Sequence, residues 1–451
     1  MYNIRRFDNF QHTFLFTSRT EQFELFFDRF LEGDLGKIYT AVPWEELVRT
    51  FGLGDARKGP LSIFGPKGKL ALMFLKHYAG CSDRRLVEQL NGNIDYQFFC
   101  GIDLGGKRLT NYKIVSEIRC ELAKKMDIDK VQRTLFGSWS AHIGDKHSVV
   151  MDATCYESEL RYPTNEKLLW ESVDWSYRQL KAICKVLGIK TPLTKYLKWK
   201  RRNISYSKMR RKTRSKRTRL DRSLLLLLDK IDGELDKLEK GHGLRMPERY
   251  HRRRATIRKI YEQQHRIFHT GEKPTGRIVS IGKDYLRPIV RGKEIKAVEF
   301  GAKVNKFQID GISFIEHLNF NAFHEGNRFQ ETIFRVQHLT RTRTRLAGAD
   351  AIYATNKNRK FATKYGIGTD FKRKGRAGKH EGQRRQMAAM ITKERATRLE
   401  GSFGKEKEHY HLKKIKARTK ETEILWIFFG IHTANALEIG RRMARTLQQA
   451  A

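Results

Sequence analysis

Three acidic residues stand in sequence settings that suit metal-dependent chemistry. Asp152 follows the apolar run VVM, Asp350 follows the run LAGA, and Glu400 precedes the run GSFG. A carboxylate at the end of a buried strand is costly to desolvate, and a divalent cation compensates that cost most strongly. Carboxylate oxygens suit Mg²⁺ or Mn²⁺, and two such ions roughly 3.5–4 Å apart can carry out phosphodiester chemistry. For any one of these acids the alternative is a cap or turn role, which Asp commonly takes at the end of a strand.

The charge of the chain favours a polyanionic partner. Lys plus Arg number 91 against 50 Asp plus Glu, so the formal net charge is +41 and the sequence pI is about 10.1. A nucleic acid is the natural ligand for such a chain. Ribosomal and nucleoid proteins are also basic, but here 39% of 451 residues are hydrophobic, which is enough to bury a core and form two or three domains.

The strongest basic run is the segment 195–219, which contains 13 Lys or Arg and no acid. This composition predicts a helix or arm that follows DNA phosphates, and the alternative is a solvated face. The candidate phosphate contacts are Arg201, Arg202, Arg210, Arg211, Lys212 and Arg214.

A short apolar seam with coiled-coil spacing follows the basic run. We predict that it packs within the chain, and pairing between protomers is the alternative. Its members are Leu224, Leu228, Ile231, Leu235 and Leu238.

One histidine pair is similar to the end of a zinc finger. His265 and His269 are followed by the string TGEKP. A Cys₂His₂ site also needs two thiolates roughly a dozen residues before the first His. The nearest upstream cysteine is the distant Cys184, so we predict no zinc.

Apolar spacing near 3.6 residues predicts helices through most of residues 1–140. Pro66 begins a predicted helix that ends at Ala79, and Ser82 is the predicted N-cap of a helix that ends at Leu90. Two helices joined by three residues form either a helix-turn-helix motif or an ordinary helical hairpin.

The later part of the chain alternates strand and helix patterns, which predicts a mixed α/β domain. A helix over 387–409 bears Glu400, and an apolar stretch from Ile424 to Ile431 is predicted to be a buried helix that covers a sheet. The predicted strands are 148–152, 277–281, 297–304, 307–309, 345–349 and 366–371.

Nothing in the sequence directs the chain to a membrane or out of the cell. Residues 1–16 lack an apolar signal region, and the apolar stretch near residue 430 is far shorter than the roughly 20 residues that cross a bilayer. Five cysteines without paired spacing favour reduced thiols. We therefore expect a cytoplasmic protein, associated with chromosomal DNA and not with a membrane.

Five segments carry longer motifs. Together, and in this order, they resemble the DDE transposases of the IS5 insertion-sequence family. The segments are LMFLKHYAGCSDRRLVEQL at 72–90 with NIDYQFFCG at 93–101, DAT at 152–154 with YPTNEKLLW at 162–170, VEFGAKV at 298–304, DAIYATNKNR at 350–359, and EGSFGKEK at 400–407.

The resemblance implies an α/β fold, namely a ribonuclease-H-like mixed-sheet catalytic domain with a large helical insertion, preceded by an all-α N-terminal domain. It implies that Asp152, Asp350 and Glu400 are catalytic and bind two Mg²⁺ ions, with Mn²⁺ as a substitute. The implied partners are double-stranded DNA, as terminal inverted repeats and as target, and further copies of the chain in a homo-oligomer on DNA.

The helix that bears Glu400 departs from the pattern of related transposases, which place an Arg four residues and a Tyr seven residues before the Glu. Lys407 fits the family's Lys, but Ala396 occupies the Arg position and Lys393 the Tyr position. Arg395 or Arg398 could take the Arg role through a local shift, and both are candidate DNA contacts. Lys407 is a third candidate, with a solvated lysine as the alternative.

Four segments are expected: a helical DNA-binding domain (1–140), the catalytic domain (145–435), a basic helical insertion within it (165–275) and a C-terminal tail (436–451). The predicted function is cleavage at the ends of an insertion sequence and joining of the 3′ ends to target DNA. The alternatives are a metal-dependent nuclease of the same fold and a basic architectural DNA-binding protein. We expect Asp310 and Asp370, which neighbour Asp350 in the sequence, to tolerate substitution by Asn.

Overall fold

The computed structural model describes residues 5–6, 20–55, 59, 61–290 and 298–450. Most of segment 1–16, the start of the strand predicted at 297, and residue 451 therefore lie outside the described residues. The chain divides into two compact units. The first comprises Met1–Ser158, Ala302–Asn319 and Phe323–Ala451, and the second comprises Glu159–Gly301 with Phe320–Ala322.

These units differ from the expected segments. The expected N-terminal and catalytic domains fall in one unit because their helices share a core, with α-helical residues such as Phe74 packed on Phe429. The second unit is wider than the expected insertion at 165–275.

The N-terminal part of the first unit is helical, as predicted. Pro66 begins a helix that ends at Ala79, as predicted, and Gly80 caps it with a positive φ. The Ser82 hydroxyl accepts a hydrogen bond from the Arg85 amide at 3.2 Å. The helices are α1 (Thr20–Glu32), α2 (Asp34–Ala41), α3 (Trp44–Thr50), α4 (Pro66–Ala79), α5 (Asp83–Leu90), α6 (Ile94–Cys100), α7 (Lys113–Lys125) and α8 (Ile128–Trp139).

The second unit is built on long helices. The basic run does not form one helix, because it turns at 209–213 and resumes in a helix that Thr213 caps. The apolar seam is buried among these helices, so the prediction that it packs within the chain is confirmed. The helices are α9 (Asn165–Val186), α10 (Tyr196–Lys208), α11 (Arg214–Gly241) and α12 (Glu248–Thr270).

The strands of the chain are β1 (Arg5–Arg6), β2 (Ile102–Asp103), β3 (Ser148–Glu157), β4 (Pro288–Val290), β5 (Val298–Ile309), β6 (Ile312–Asn319), β7 (Leu346–Ala349) and β8 (Gly368–Thr369). In the first unit they form a mixed sheet in the order β6, β5, β3, β7, β8. Strands β5 and β6 are antiparallel, whereas β3, β7 and β8 run parallel. The predicted mixed α/β fold is thus confirmed. The strand predicted at 277–281 is not formed, and that at 366–371 is reduced to β8.

Further helices follow strand β6 along the chain. The later helices are α13 (Phe329–Thr340), α14 (Asn356–Lys364), α15 (Glu381–Glu394), α16 (Gly401–His409) and α17 (Lys420–Ala450). A π-helical turn, Arg395–Glu400, joins α15 to α16, so the chain runs as one long helix from Glu381 to His409.

Helix α17 is buried against the sheet, as predicted for its apolar stretch. The Asn435 amide accepts a hydrogen bond from the Ser313 amide of β6 at 3.0 Å and donates one to the Ser313 carbonyl at 2.7 Å. Residues 436–450 continue this helix instead of forming a separate tail, because Arg441 pairs with Asp34 at 3.0 Å and Gly440 lies against the backbone of Lys37.

Across the described residues, the helices fall short of the length and apolar character that a membrane crossing requires.

The packing of the second unit gives a stability prediction. Burial and then the charge of Glu166 raise the pKa of Asp221 on α11 to about 7, and its Oδ1 atom is buried without a hydrogen-bond partner among the described residues. As pH rises, the carboxyl group loses its proton at a lower pH in the unfolded chain than in the folded protein. Ionisation therefore lowers the free energy of unfolding increasingly between about pH 4 and pH 7. We expect Asp221→Asn to stabilise the protein by about 1 kcal/mol or more at pH 8, and by little at pH 4.

Thermal unfolding at the two pH values measures this effect. Asp229→Asn, at an exposed position of the same helix, is the control and should change neither midpoint. An equal gain from Asp221→Asn at both pH values would contradict the assignment.

Candidate active site

The parallel pairing of β3 and β7 brings two of the predicted acids together. Met151 is the register partner of Ala349, and the next residue on each chain is Asp152 or Asp350. Adjacent strands lie about 4.8 Å apart, so the two residues are neighbours where β7 ends and β3 continues to Glu157. Each carboxylate also accepts a hydrogen bond from the amide of its following residue at 2.7 Å, which fixes its direction.

The electrostatics of Asp152 reflect this crowding. Burial is the main cause that raises its pKa to about 6, and the charges of Glu325 and Asp350 add to the rise. The bond from the Ala153 amide and the charge of Arg395 lower it. Asp152 is half-buried and Asp350 is exposed, and the charge of Asp350 acts on Asp152, so the site favours an added positive charge.

Glu400 reaches the region from the long helix over 381–409. It ends the π-helical turn, half exposed, and its Oε1 atom accepts a hydrogen bond from Nη1 of Arg395 at 3.0 Å. Arg395 is five residues before Glu400, not four. A π-turn places residues i and i+5 on one helix face, so it supplies the local shift that the sequence required.

Arg398 does not take this position. Its guanidinium pairs with Asp310 at 3.0 Å and with Glu394 at 3.1 Å, on a different face of the helix from Glu400's partner. Of the two arginine candidates for the family's Arg position, the structure therefore places Arg395 beside Glu400.

Lys407 lies on the same helix, seven residues after Glu400. Its ammonium donates a hydrogen bond to Oγ1 of Thr154 at 2.9 Å. Thr154 is two residues after Asp152 on β3, so both side chains point to the same face of the sheet. Lys407 is half-buried and is thus not simply a solvated lysine.

Asp370 is a fourth acid in the region, and its importance was not expected from the sequence. Its side chain is only 4% exposed, its Oδ1 accepts a hydrogen bond from the Ala349 amide at 3.1 Å, and its Oδ2 lies 3.7 Å from Nε of Arg395. Burial first, and the nearby charge of Asp350, raise the pKa of Asp370, while its bond to Ala349 and Arg395 oppose the rise. Asp370 thus links the backbone that carries Asp350 to the arginine that holds Glu400.

Glu325 is a fifth acid that sequence reasoning missed. It begins a 3₁₀ turn, and its Oε1 pairs with Nζ of Lys303 at 2.7 Å with both side chains nearly buried. Its charge acts on Asp152. No strand or helix pattern precedes it in the sequence, so only the fold could reveal it.

The close approach of the helix to the sheet depends on a glycine. A Cβ atom on Gly348 would lie 2.5 Å from Cγ2 of Ile391 and 3.0 Å from Cγ1 of Val150. The absence of a side chain at this position in β7 therefore lets α15 pack directly beside Asp350.

The donor chemistry of Asp152 and Asp350 fits a hard divalent cation, because both offer carboxylate oxygens. Among the described residues, however, no three His, Cys, Asp or Glu side chains are grouped closely enough to hold a metal ion. The carboxylate of Glu400 is paired with Arg395. The arrangement therefore consists of two neighbouring carboxylates and a third that pairs with Arg395.

The candidate phosphate contacts between residues 201 and 214 lie in the second unit, on α10, the following turn and the start of α11. All of them are exposed, and within the described part of the chain none is paired with a carboxylate. Arg202 stacks over Trp199 with 4.9 Å to the ring centroid, and Lys212 lies 5.3 Å from the centroid of Tyr206. His265 and His269 lie one turn apart on α12 with ring centroids 4.3 Å apart.

The sequence predicts that Asp310 and Asp370 both tolerate substitution by Asn. Their contacts in the structure predict a different outcome for each residue. Asp370→Asn removes the charge that faces Arg395, so we expect Mn²⁺ binding to weaken by about 10-fold or more. Asp310 instead accepts bonds from the Gly144 amide at 2.9 Å and from Arg442 at 2.8 Å, away from Asp152. Asp310→Asn should therefore lower the unfolding temperature without changing Mn²⁺ affinity.

Calorimetric titration with Mn²⁺ and thermal unfolding of both variants test this pair. Equal Mn²⁺ affinity of Asp370→Asn and the unchanged protein would show that Asp370 does not support the site.

Comparison with known families gives two matches. Residues 348–431 match the family model described as "Transposase DDE domain", and residues 28–120 match the model described as "Transposase domain (DUF772)". Neither the curated proteins nor the solved structures gave a significant match. The first match contains Asp350, Asp370, Arg395, Glu400 and Lys407, and the second contains the helical hairpin of α4 and α5. The chain is thus similar to transposases in both its N-terminal helices and its site, and this similarity supports a DNA transposase that transfers nucleotidyl groups and depends on a divalent metal.

Proposed function

We propose that the protein cleaves DNA at the terminal inverted repeats of its insertion sequence and joins the 3′ ends to target DNA. The observation that carries this proposal is the register of β3 and β7, which sets Asp152 beside Asp350, and the π-helical turn that ends at Glu400 packs on β3. The match of residues 348–431 to a transposase DDE domain supports it.

The carboxylates are the chemical centre of the proposal. Asp152, Asp350 and Glu400 would hold two Mg²⁺ ions, or Mn²⁺ in their place, which when bound activate an attacking oxygen and stabilise a leaving one. Arg395 holds Glu400 until the carboxylate turns to the site. Lys407 lies beside Thr154 near Asp152, and we propose that it contacts a DNA phosphate there.

The reaction has two steps that balance without a covalent protein intermediate. In the first, water attacks a phosphodiester at the element end, and the bond to the 3′ oxygen breaks to leave a free 3′-hydroxyl. In the second, that hydroxyl attacks a target phosphodiester, a new phosphodiester forms and a target 3′-hydroxyl leaves. In each step the attacking water or hydroxyl gives up a proton and the leaving 3′ oxygen takes one up, and no oxidant or high-energy cofactor is needed.

A tyrosine recombinase mechanism does not fit the tyrosines of the site region. Tyr353 is fully buried and donates a hydrogen bond to Oδ1 of Asn305 at 2.5 Å. Tyr410 is also buried, and burial raises its pKa to about 12. Neither phenol is both exposed and activated, as a nucleophile must be.

The basic surface of the second unit is proposed to bind the DNA backbone. This surface consists of the six candidate phosphate contacts, Arg201, Arg202, Arg210, Arg211, Lys212 and Arg214, which are exposed and lack carboxylate partners among the described residues. Arg217 of the same run instead pairs with Glu166 at 2.6 Å. Two element ends must be brought together for joining, so we propose a homo-oligomer that assembles on chromosomal DNA in the cytoplasm. Arg398 is not included among the DNA contacts, because Asp310 and Glu394 neutralise it.

The chemical proposal predicts that Asp152→Asn, Asp350→Asn and Glu400→Gln each reduce cleavage of a duplex carrying the element ends by at least about 100-fold in Mg²⁺. DNA binding should change little, because phosphate contacts come from the basic surface. Gel assays of cleavage, strand transfer and binding measure all three effects.

Glu408→Gln, at an exposed position of the same helix as Glu400, is the matched control and should cleave normally. Normal cleavage by any of the three variants would remove that residue from the site. Cleavage without any joined product would favour a nuclease of the same fold, and binding without cleavage would favour an architectural protein.

The basic surface makes a separate prediction. Replacing Arg210, Arg211, Lys212 and Arg214 together by Gln should weaken binding to the element ends and to unrelated duplexes by similar factors. The slope of log K against log salt should fall by roughly 0.9 for each lost phosphate contact. Fluorescence anisotropy over a salt series measures both quantities.

Substitution of four other exposed cations outside this segment, Lys413, Lys414, Lys416 and Lys420, controls for net charge. An unchanged salt slope would show that the segment is only a solvated face. Selective loss of binding to the element ends would show that it reads sequence.

A further inference from the structure

A fully buried lysine lies beneath the helix that carries Glu400. Lys306 on β5 is 0% exposed, and its ammonium donates hydrogen bonds to Oε1 of Glu406 at 2.6 Å and to Oγ of Ser402 at 2.7 Å. The ammonium also lies 4.3 Å from the ring centroid of Phe403. All three partners are on α16, within two turns of Glu400. Lys306 therefore fixes the part of the helix that follows the π-turn.

Lys306 lies where the pairing of β5 with β6 is irregular. The register shifts between Asn305 and Lys306, and the extra residue is Glu316 on β6. Successive side chains of a strand point to opposite faces of the sheet. Asn305 bonds Glu316 and Thr332, whereas Lys306 bonds α16, so the two neighbours serve different sides of the sheet.

Glu406 connects the lysine to a second strand. It is 1% exposed, and its Oε2 accepts a hydrogen bond from the hydroxyl of Tyr156 on β3. Ser402 in turn donates to the Leu399 carbonyl at 2.6 Å, inside the π-turn. These contacts join β3, β5 and the π-turn through one buried polar network.

Such a network is not needed for stability. Taking two charges out of water costs more than their attraction commonly returns, and apolar residues of similar size often replace a buried pair without loss. Buried polar groups are better explained where they specify one arrangement among several. Here the arrangement to be specified is the register of the helix.

The π-turn creates that need. It inserts one residue into the helix and so changes which side chains share a face. Arg395 and Glu400 lie on one face only with the insertion at its present position. Contacts at both ends of the turn are therefore required to keep it in place. At its start, Arg395 is held by Asp370 and pairs with Glu400.

We propose that Lys306, with Glu406 and Tyr156, is a positioning residue that holds the π-turn in register and so aims Glu400 at the carboxylates of Asp152 and Asp350. The role of Glu400 as a metal ligand rests on the proposed function, whereas the register of the helix does not.

The test removes the whole network so that no buried polar group is left unpaired. The triple variant Tyr156→Phe, Lys306→Met, Glu406→Leu should unfold at the same temperature as the unchanged protein or higher. Hydrogen–deuterium exchange across 395–407 should become faster. Calorimetric titration should show Mn²⁺ affinity weakened by about 10-fold to 100-fold, as for loss of residues that orient metal ligands.

The control variant Lys69→Met, Glu121→Leu removes an ion pair of 2.8 Å in the N-terminal helices and should leave Mn²⁺ affinity unchanged. A folded triple variant with normal exchange and Mn²⁺ affinity would overturn the proposal. If the unchanged protein and Asp152→Asn bind Mn²⁺ equally, the proposed metal site fails, and exchange alone then decides the positioning role.

If the triple variant does not fold, a second variant tests the proposal. Ser402→Ala removes the bond from Lys306 and the bond to the Leu399 carbonyl, which together tie Lys306 to the π-turn. Faster exchange across 395–400 in this variant would support the proposal, and unchanged exchange would overturn it.

Discussion

The repulsion between neighbouring carboxylates is the constraint on which the rest of the structure depends. The parallel register of β3 and β7 sets Asp152 beside Asp350, and Glu325 and Asp370 lie close enough to act on them. Burial, with the charges of Glu325 and Asp350, raises the pKa of Asp152 and favours compensation by a cation. The guanidinium of Arg395 supplies part of that positive charge within the chain, because it pairs with both Asp370 and Glu400.

The long helix over 381–409 satisfies two demands that conflict in a regular α-helix. Leu399 and Phe403 must face the core, while Arg395 and Glu400 must face the acids. A π-turn meets both demands because it changes the phase of the helix by one residue. Gly348 then permits the close approach of α15, and the Lys306 network fixes α16.

Much of this could be predicted from the sequence. The apolar run before Asp350 predicts a strand end, the cap at Ser82 is located to the residue, and the seam around Leu228 packs as expected. The strand predicted at 148–152 instead continues to Glu157, so Asp152 lies within β3. The family resemblance supplied the order of the acids, and the matches to two transposase domains confirm that similarity.

The remainder depends on contacts that no local pattern encodes. The phase change at 395–400 has no periodic signature, since it is decided by which side chains find partners on the sheet. Glu325 and Asp370 come from a 3₁₀ turn and from the end of a two-residue strand, where hydrophobic periodicity is too short to read. Lys306 looks like one more cation in a basic chain, and only its burial on β5 distinguishes it. The tail expected at 436–451 was instead a helix end because Gly440 and Arg441 pack on α2.

The central claim is that Asp152 and Asp350 bind the divalent cation directly. Metal rescue tests it most directly, because a thiolate is a softer ligand than a carboxylate and disfavours Mg²⁺ more than Mn²⁺. Cleavage of DNA carrying the element ends should be measured for Asp152→Cys and Asp350→Cys in each metal. The account predicts that both variants are inactive in Mg²⁺ and regain cleavage in Mn²⁺, whereas equal activity in the two metals would contradict it.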